Sequence, residues 1–284
     1  MKRITSIALA LVVVGFASAE PVESSPPAAV DLKPIAGKPC RLFLLGGQSN
    51  MDGCGKATEL PEEYRKQLGN VMIWDNRRKL WVRLTEDTTA IARKFQFGPE
   101  MAFAHRLSKE FPDETIALMK TSAGGTKLHT QWLPGKGMHG AFVRNYEAAA
   151  ADLEEAGIAF EVGGMLWMQG ESDSETVEMA NAYEANLKKL VDDVRERTGK
   201  PALPIVVGRI SSSLLKKTPW NFDQAAIVQA AQESVAKADP NIELVQTDDL
   251  PTLKDNTHFN SEGQLTLGNR MADAMLRHRS SPAE

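Results

Sequence analysis

The chain has 284 residues, with 33 Lys and Arg against 37 Asp and Glu, for a net charge of −4. A surface of that sign repels polyanions, and no basic cluster is interleaved with aromatics, so nucleic-acid binding is excluded as a leading function class. The length suits one large α/β domain with a sizeable core.

The N-terminus carries an export signal. Lys2 and Arg3 precede an almost wholly apolar run, Ile4 to Phe16, and Ala17-Ser18-Ala19 supplies the small-x-small pattern that signal peptidase accepts. Residues 1–19 are therefore predicted to be a signal peptide, and the mature protein to be periplasmic or secreted. The run is shorter than the roughly 20 apolar residues of a permanent membrane helix, so no stable anchor is expected after cleavage. Removing those 19 residues leaves 265; loss of Lys2 and Arg3, with no acid, moves the net charge from −4 to −6. Residues 20–38 (EPVESSPPAAVDLKPIAGK) are rich in Pro, Ser and Ala without periodicity and read as a flexible leader. Export permits a disulfide between Cys40 and Cys54. The strand expected between them spans about 17–20 Å, however, and a bridge needs Cα atoms within about 7 Å. The spacing thus disfavours the crosslink.

From residue 39 to 279 short apolar runs alternate with amphipathic ones. RLFLLG (41–46), TIALMK (115–120), GGMLWM (163–168), PIVVG (204–208) and IELVQ (242–246) read as buried strands. Helical patterns fall near 99–110, 141–156, 178–198, 222–238 and 262–277. Such alternation predicts a parallel sheet covered by helices on both faces. VMIWDNRRKLWVRL (71–84) has two apolar runs around Asp75-Asn76 and reads as a small hairpin inserted after the first strand.

Ligands of such sheets sit outside the carboxyl ends of the strands. After the first strand comes Gly47-Gln48-Ser49-Asn50; after the second, Ser122-Ala123-Gly124-Gly125; after the third, Gln169-Gly170-Glu171-Ser172-Asp173. Asp248-Asp249 and then Asp255-Asn256-Thr257-His258 follow the last. A hydroxyl, a glycine pair, an amide with acids and an acid–imidazole pair thus converge on one rim. Alone, Ser49 would read as a helix N-cap, His258 as a surface loop residue and the glycines as a turn. Together they fit acyl transfer. A serine needs a neighbouring base, which His258 can be, and Asp255 can hold the imidazole in the required tautomer. Backbone N–H groups of Ser49 and of Gly124 or Gly125, with the Gln169 amide, would serve as oxyanion donors, one side-chain donor of this kind contributing about 3–4 kcal/mol. Glu171 competes with Asp255 as partner of His258, and Asp248 and Asp249 are further rivals. Gln48, Asn50, His129 and Trp132 are candidate pocket residues, with His139 in the same loop. His105 reads as structural and His278 as idle. No cluster has metal-ligand spacing, so neither a metal nor another cofactor is expected.

At these residues the chain resembles the SGNH (GDSL-like) hydrolases, specifically the branch of sialate O-acetylesterases and the acetylxylan esterases of carbohydrate esterase family 6. The blocks are GGQSNMDG (46–53), FGPEMAFAHRL (97–107), SAGGTKLHTQW (122–132), LWMQGESD (166–173) and DNTHFNSEGQLTLGNRMA (255–272), in order over the whole mature domain. The resemblance implies a flavodoxin-like three-layer α/β/α sandwich with a five-stranded parallel sheet, no cofactor, and Ser49, His258 and Asp255 as catalytic residues. It keeps Glu171 as an alternative acid. Two departures stand out: Gln169 replaces the Asn of many SGNH enzymes, and Cys54 stands where this branch often has Arg. The expected function is an exported serine esterase removing O-acetyl groups from carbohydrate. The alternatives are a hydrolase of the same fold with lipase- or thioesterase-like acyl preference, and a non-catalytic carbohydrate-binding relative.

Overall fold

A computed structural model describes residues 27–86, 95–216 and 218–279. The expected signal peptide and residues 20–26 of the expected leader lie outside them. In chain order the elements are β1 (Cys40–Gly47), α1 (Ser49–Asp52), β2 (Gly55–Lys56), α2 (Glu62–Arg65), β3 (Val71–Asp75), β4 (Leu80–Arg83), β5 (Gln96–Phe97), α3 (Glu100–Glu110) and β6 (Thr115–Ser122). They continue with α4 (Gly137–Glu155), β7 (Phe160–Met168), α5 (Val177–Thr198), β8 (Ile205–Gly208), α6 (Ala225–Ala238), β9 (Ile242–Val245) and α7 (Ser261–Arg279).

The five runs read as buried strands are β1, β6, β7, β8 and β9. They lie side by side in the order β6-β1-β7-β8-β9, all parallel. The sheet is wider than expected: among the described residues it has seven strands, because β3 pairs in parallel with β6 and carries β4 antiparallel at the edge. The hairpin at 71–84 is therefore part of the main sheet. Val71, Met72, Ile73 and Trp74 are all buried. A strand apolar on both faces needs cover on both, which an isolated hairpin lacks.

The edge of β4 would leave backbone groups unpaired. Val30 N–H donates to the Trp81 carbonyl at 2.8 Å, Ala29 bridges Val82, and Ile35 is buried. This part of the leader is thus docked on the domain, not flexible as its composition led us to expect.

Strand alternation sorts the helices into two layers. Trp167 points to one face, where its ring meets Trp132 edge-on at 5.0 Å and its indole N–H donates to the Tyr183 hydroxyl of α5 at 3.3 Å. Phe142 of α4 also reaches Trp132, and α6 packs on α5. On the opposite face Met168 and Gly208 lie against Met271 of α7, which packs along α3.

One polar feature crosses this core. Lys120, at the end of β6, and Glu100, at the start of α3, are buried and paired at 2.9 Å. The lysine also donates to the Asp52 carbonyl at 2.8 Å, and Glu100 accepts from Gly98 N–H at 3.0 Å. Buried charges cost several kcal/mol each unless paired and further hydrogen-bonded. Lys120→Met, which strands the carboxylate, is expected to lower unfolding free energy by about 3–5 kcal/mol in urea titration, and adding Glu100→Leu should recover most of it. A single-variant loss below about 1 kcal/mol would contradict this account of the pair.

Candidate active site

The nucleophile turn begins where β1 leaves the sheet. Gly47 has φ of +152°, and a Cβ there would lie 2.1 Å from the Met168 carbonyl oxygen. Only glycine permits that approach of β1 to β7. Gln48 N–H donates to the same carbonyl at 3.0 Å, and the Gln48 carbonyl accepts from Met51 and Asp52 N–H at 2.9 and 2.7 Å. The chain thus passes from strand to a single helical turn within one residue, which leaves Ser49 Oγ at the carboxyl end of the sheet. Cys54 packs beneath this turn, its thiol 3.8 Å from the Ser49 carbonyl. Position 54 is buried, so Cys54 serves packing. No disulfide joins Cys40 and Cys54, both buried, and burial pushes the Cys40 thiol up to about 12.

His258 arrives on the tight loop before α7. Asp255 Oδ1 accepts from Thr257 and His258 N–H at 2.9 and 3.0 Å, an Asx-type turn helped by Asn256 at φ of +56°. Asp255 Oδ2 lies 2.7 Å from His258 Nδ1, and His258 Nε2 lies 3.0 Å from Ser49 Oγ. Partial burial opposes ionisation of Asp255. The backbone and ring N–H groups of His258, with Thr257 N–H, outweigh it and hold the carboxyl below its ordinary range.

Three buried side chains join the loops. Asn50 donates to Glu171 Oε1 at 2.7 Å and to the Thr257 carbonyl at 3.0 Å, and accepts from Phe259 N–H at 2.9 Å. It braces the histidine loop against the nucleophile turn and does not line the pocket. Glu171 is wholly buried; its Oε2 has no partner among the described residues, and burial raises its pKa above the usual carboxylate value. The hydrogen-bond partner of His258 Nδ1 is Asp255, not Glu171, and not Asp248 or Asp249, which pair with Arg209 and Arg270. Asp173 accepts from Leu128 and His129 N–H at 2.7 and 2.8 Å and from Gln169 at 2.7 Å, tying the loop after β6 to that after β7.

That last contact corrects the expected role of Gln169. Its side chain is fully buried, its amide donates to Asp173 and, at 3.1 Å, to the Thr126 carbonyl, and its carbonyl oxygen accepts from Tyr183. It supports the floor and does not line the cavity. The glycine pair is placed differently. A Cβ on Gly124 would sit 3.6 Å from Ser49 Cβ, and the N–H groups of Ser49, Gly124 and Gly125 donate to no group among the described residues.

These residues open on a cavity of about 340 Å³. Gln48, Ser49, Gly124, Gly125, Thr257 and His258 form its inner part, while Ser172, Glu175, Trp220 and Phe222 complete the wall. A larger depression, about 440 Å³, lies near the opposite end of the sheet around Gly163 and Lys200–Pro204. It has no nucleophile beside a base, so the smaller cavity is the candidate site. Of the expected pocket residues only Gln48 lines it. Trp132 is core, donating to Thr126 Oγ1 at 3.0 Å, and His129 turns toward Asn186 and Glu178 of α5. Both lie on a π-helical turn, Leu128–Trp132, that coils away from the rim. His139 is buried against Asp193 at 2.6 Å and His105 packs on Tyr64, both structural. Sequence reasoning missed Trp220 and Phe222. Their signal was an aromatic pair in an otherwise polar loop, TPWNFD (218–223).

Comparison with known proteins gives the chain's relatives. A probable carbohydrate esterase of Arabidopsis thaliana is 27% identical over 259 residues, covering 84% of this chain and 91% of the relative. The crystal structure of an Arabidopsis thaliana protein superposes with a TM-score of 0.70 at 26% identity, covering 84% of this chain and 98% of its own. NanS shares the fold at a TM-score of 0.66 and 13% identity, covering 86% of this chain and 99% of its own. A carbohydrate acetylesterase from Xanthomonas citri does so at 0.58 and 19%, covering 84% and 56%. Residues 39–277 match the family described as "Carbohydrate esterase, sialic acid-specific acetylesterase", and the chain belongs to that family.

Proposed function

We propose that this chain is an exported serine esterase that removes O-acetyl groups from carbohydrate through an acetyl-Ser49 intermediate. The observation that carries this reading is the continuous relay from Ser49 Oγ through the His258 ring to Asp255, at 3.0 and 2.7 Å, beside backbone N–H groups with no acceptor among the described residues. Membership of the carbohydrate esterase family, and likeness to carbohydrate esterases of other organisms, support the carbohydrate part. Export rests on the charged, apolar and small-residue pattern of residues 1–19.

In the proposed reaction His258 Nε2 takes the Ser49 proton as Oγ attacks the acetyl carbonyl. The carbonyl oxygen becomes an oxyanion and accepts from the N–H groups of Ser49 and the glycine pair. Asp255 stabilises the imidazolium and keeps Nδ1 protonated. The tetrahedral species collapses, His258 Nε2–H protonates the departing sugar oxygen, and acetyl-Ser49 remains. Water, deprotonated by His258, then releases acetate by the same route in reverse. Glu171 has no step here. It is a buried acid whose charged form is disfavoured, and it holds the Asn50 brace through one oxygen.

Four outcomes are expected. Acetate release from a panel of acetylated glycans should fall by about 10³-fold or more in Ser49→Ala, a loss of the size seen when a triad nucleophile is removed. Equal rates in both would end the assignment of Ser49. Rates on nitrophenyl esters that rise beyond butyrate would end the acetyl part, and recovery of protein beginning with residue 1 from the exporting host would end the export part. Asp255→Asn should lose about 10²–10⁴-fold in kcat, whereas Glu171→Gln, which keeps an acceptor for Asn50, should lose less than about tenfold. The folded pKa of Glu171 is raised, so its contribution to stability is present below the unfolded value of about 4.3 and is lost as pH rises toward the folded value. Glu171→Gln should therefore raise the urea midpoint at neutral pH, with the gain shrinking toward pH about 4; a gain larger in acid would contradict this.

A further inference from the structure

Of the five tryptophans, Trp74, Trp81, Trp132 and Trp167 are buried core residues, while Trp220 is 46% exposed. Its ring stands at 89° to the His258 imidazole with centroids 5.4 Å apart. Behind it lies Phe222, buried, with centroids 6.0 Å apart and planes tilted by 33°. The loop that carries them is held in place. Thr218 Oγ1 donates to the Trp220 carbonyl at 2.5 Å, and Gln224 N–H donates to the Ser174 carbonyl at 3.0 Å, joining this loop to the one after β7. An exposed indole with a buried aromatic support is a prepared apolar surface beside the base.

The direction of proton flow says which half of an ester meets that surface. The base that takes the serine proton has to return it to the departing alcohol oxygen, so the alcohol leaves on the side of His258 Nε2. The glycine pair lines the cavity beside Ser49, and in the proposed reaction its N–H groups take the carbonyl oxygen. With those two directions taken, the group next to Trp220 is the alcohol half and not the acyl methyl. A pyranose presents faces of C–H groups that pack on an aromatic plane, while its hydroxyls seek the polar groups of the wall. Gln48, Ser172 and Glu175 line the same cavity; Glu175 is held by Lys127 at 2.7 Å.

We infer that Trp220 is the specificity-determining wall for the alcohol half of the ester, on which the sugar ring bearing the acetyl group stacks as it departs toward His258. The inference rests on Ser49 and His258 being nucleophile and base.

The test varies the two halves of the ester separately, in wild type, Trp220→Ala and Trp220→Phe. Ethyl acetate, cyclohexyl acetate and an acetylated methyl xylopyranoside differ in the alcohol; ethyl acetate and ethyl butyrate differ in the acyl group. In Trp220→Ala, kcat/KM for the two ring alcohols is expected to fall about tenfold or more relative to ethyl acetate, chiefly through KM, with Trp220→Phe recovering most of it. The acetate-to-butyrate preference should move by less than about twofold. Equal losses on every ester would overturn the proposal, since Trp220 would then act through His258. A changed acyl preference would place it on the other side of the scissile bond, and undiminished ring-alcohol turnover would remove it from recognition; either result also overturns it. Should wild type cleave cyclohexyl acetate but no sugar ester, the carbohydrate reading fails, while Trp220 is still judged by the cyclohexyl-to-ethyl ratio.

Discussion

The site depends on the buried amide of Asn50. Its position in sequence is next to Ser49, yet its three hydrogen bonds reach Glu171, the Thr257 carbonyl and Phe259 N–H. One side chain thereby sets the distance between the nucleophile turn and a loop more than two hundred residues away in sequence. A buried amide left unpaired costs about 1–3 kcal/mol per group, so the loop has one low-energy seat. In that seat His258 Nε2 falls within hydrogen-bond reach of Ser49 Oγ.

Other buried polar groups repeat this arrangement one layer down. Lys120 reaches from β6 to the Asp52 carbonyl at the end of α1, and Ser122 Oγ donates to Asp52 Oδ1 at 2.9 Å. Asp173 gathers the loop after β6, and Gln169 is drawn into the same network by Tyr183 and Thr126. The strand ends are thus tied to one another beneath the cavity, while the N–H groups of Ser49, Gly124 and Gly125 keep no acceptor among the described residues. Such preorganisation lets donors and base act without rearranging when charge develops. It also explains why the acids in the QGESD segment are not interchangeable with Asp255. Glu171 and Asp173 are desolvated supports with raised pKa values, whereas Asp255 sits in a partly open turn whose N–H groups favour its charge.

Much of this was legible in the residues. Apolar runs of strand length, alternating with amphipathic segments, give the five central strands and the helices that cover them. Asp255 and His258 are three residues apart, so their contact is local and their pairing could be read from spacing. The width of the sheet was underestimated because β3 is joined to β6 across more than forty residues. The cue was that VMIW lacks a polar face, which a freestanding hairpin would have. The leader was misjudged over residues 29–35 for a related reason: its composition is that of a linker, but β4 offers it an open edge to pair with.

The pocket was the least readable part, and the reason is physical. Gln169, His129 and Trp132 sit in the right segments, but which way a side chain points at a strand end depends on partners from other loops. Asp173 and Thr126 take the Gln169 amide inward, a π-helical turn rolls Trp132 into the core, and the loop after β8 brings Trp220 to His258. Sequence by itself determined the chemistry on offer at this rim (a hydroxyl, an imidazole with its acid, and a glycine pair), because the order of strands and turns is written in local periodicity and spacing. Only the tertiary structure decided which of those groups face the cavity and which hold it up, because that choice is made by hydrogen bonds between residues far apart in the chain.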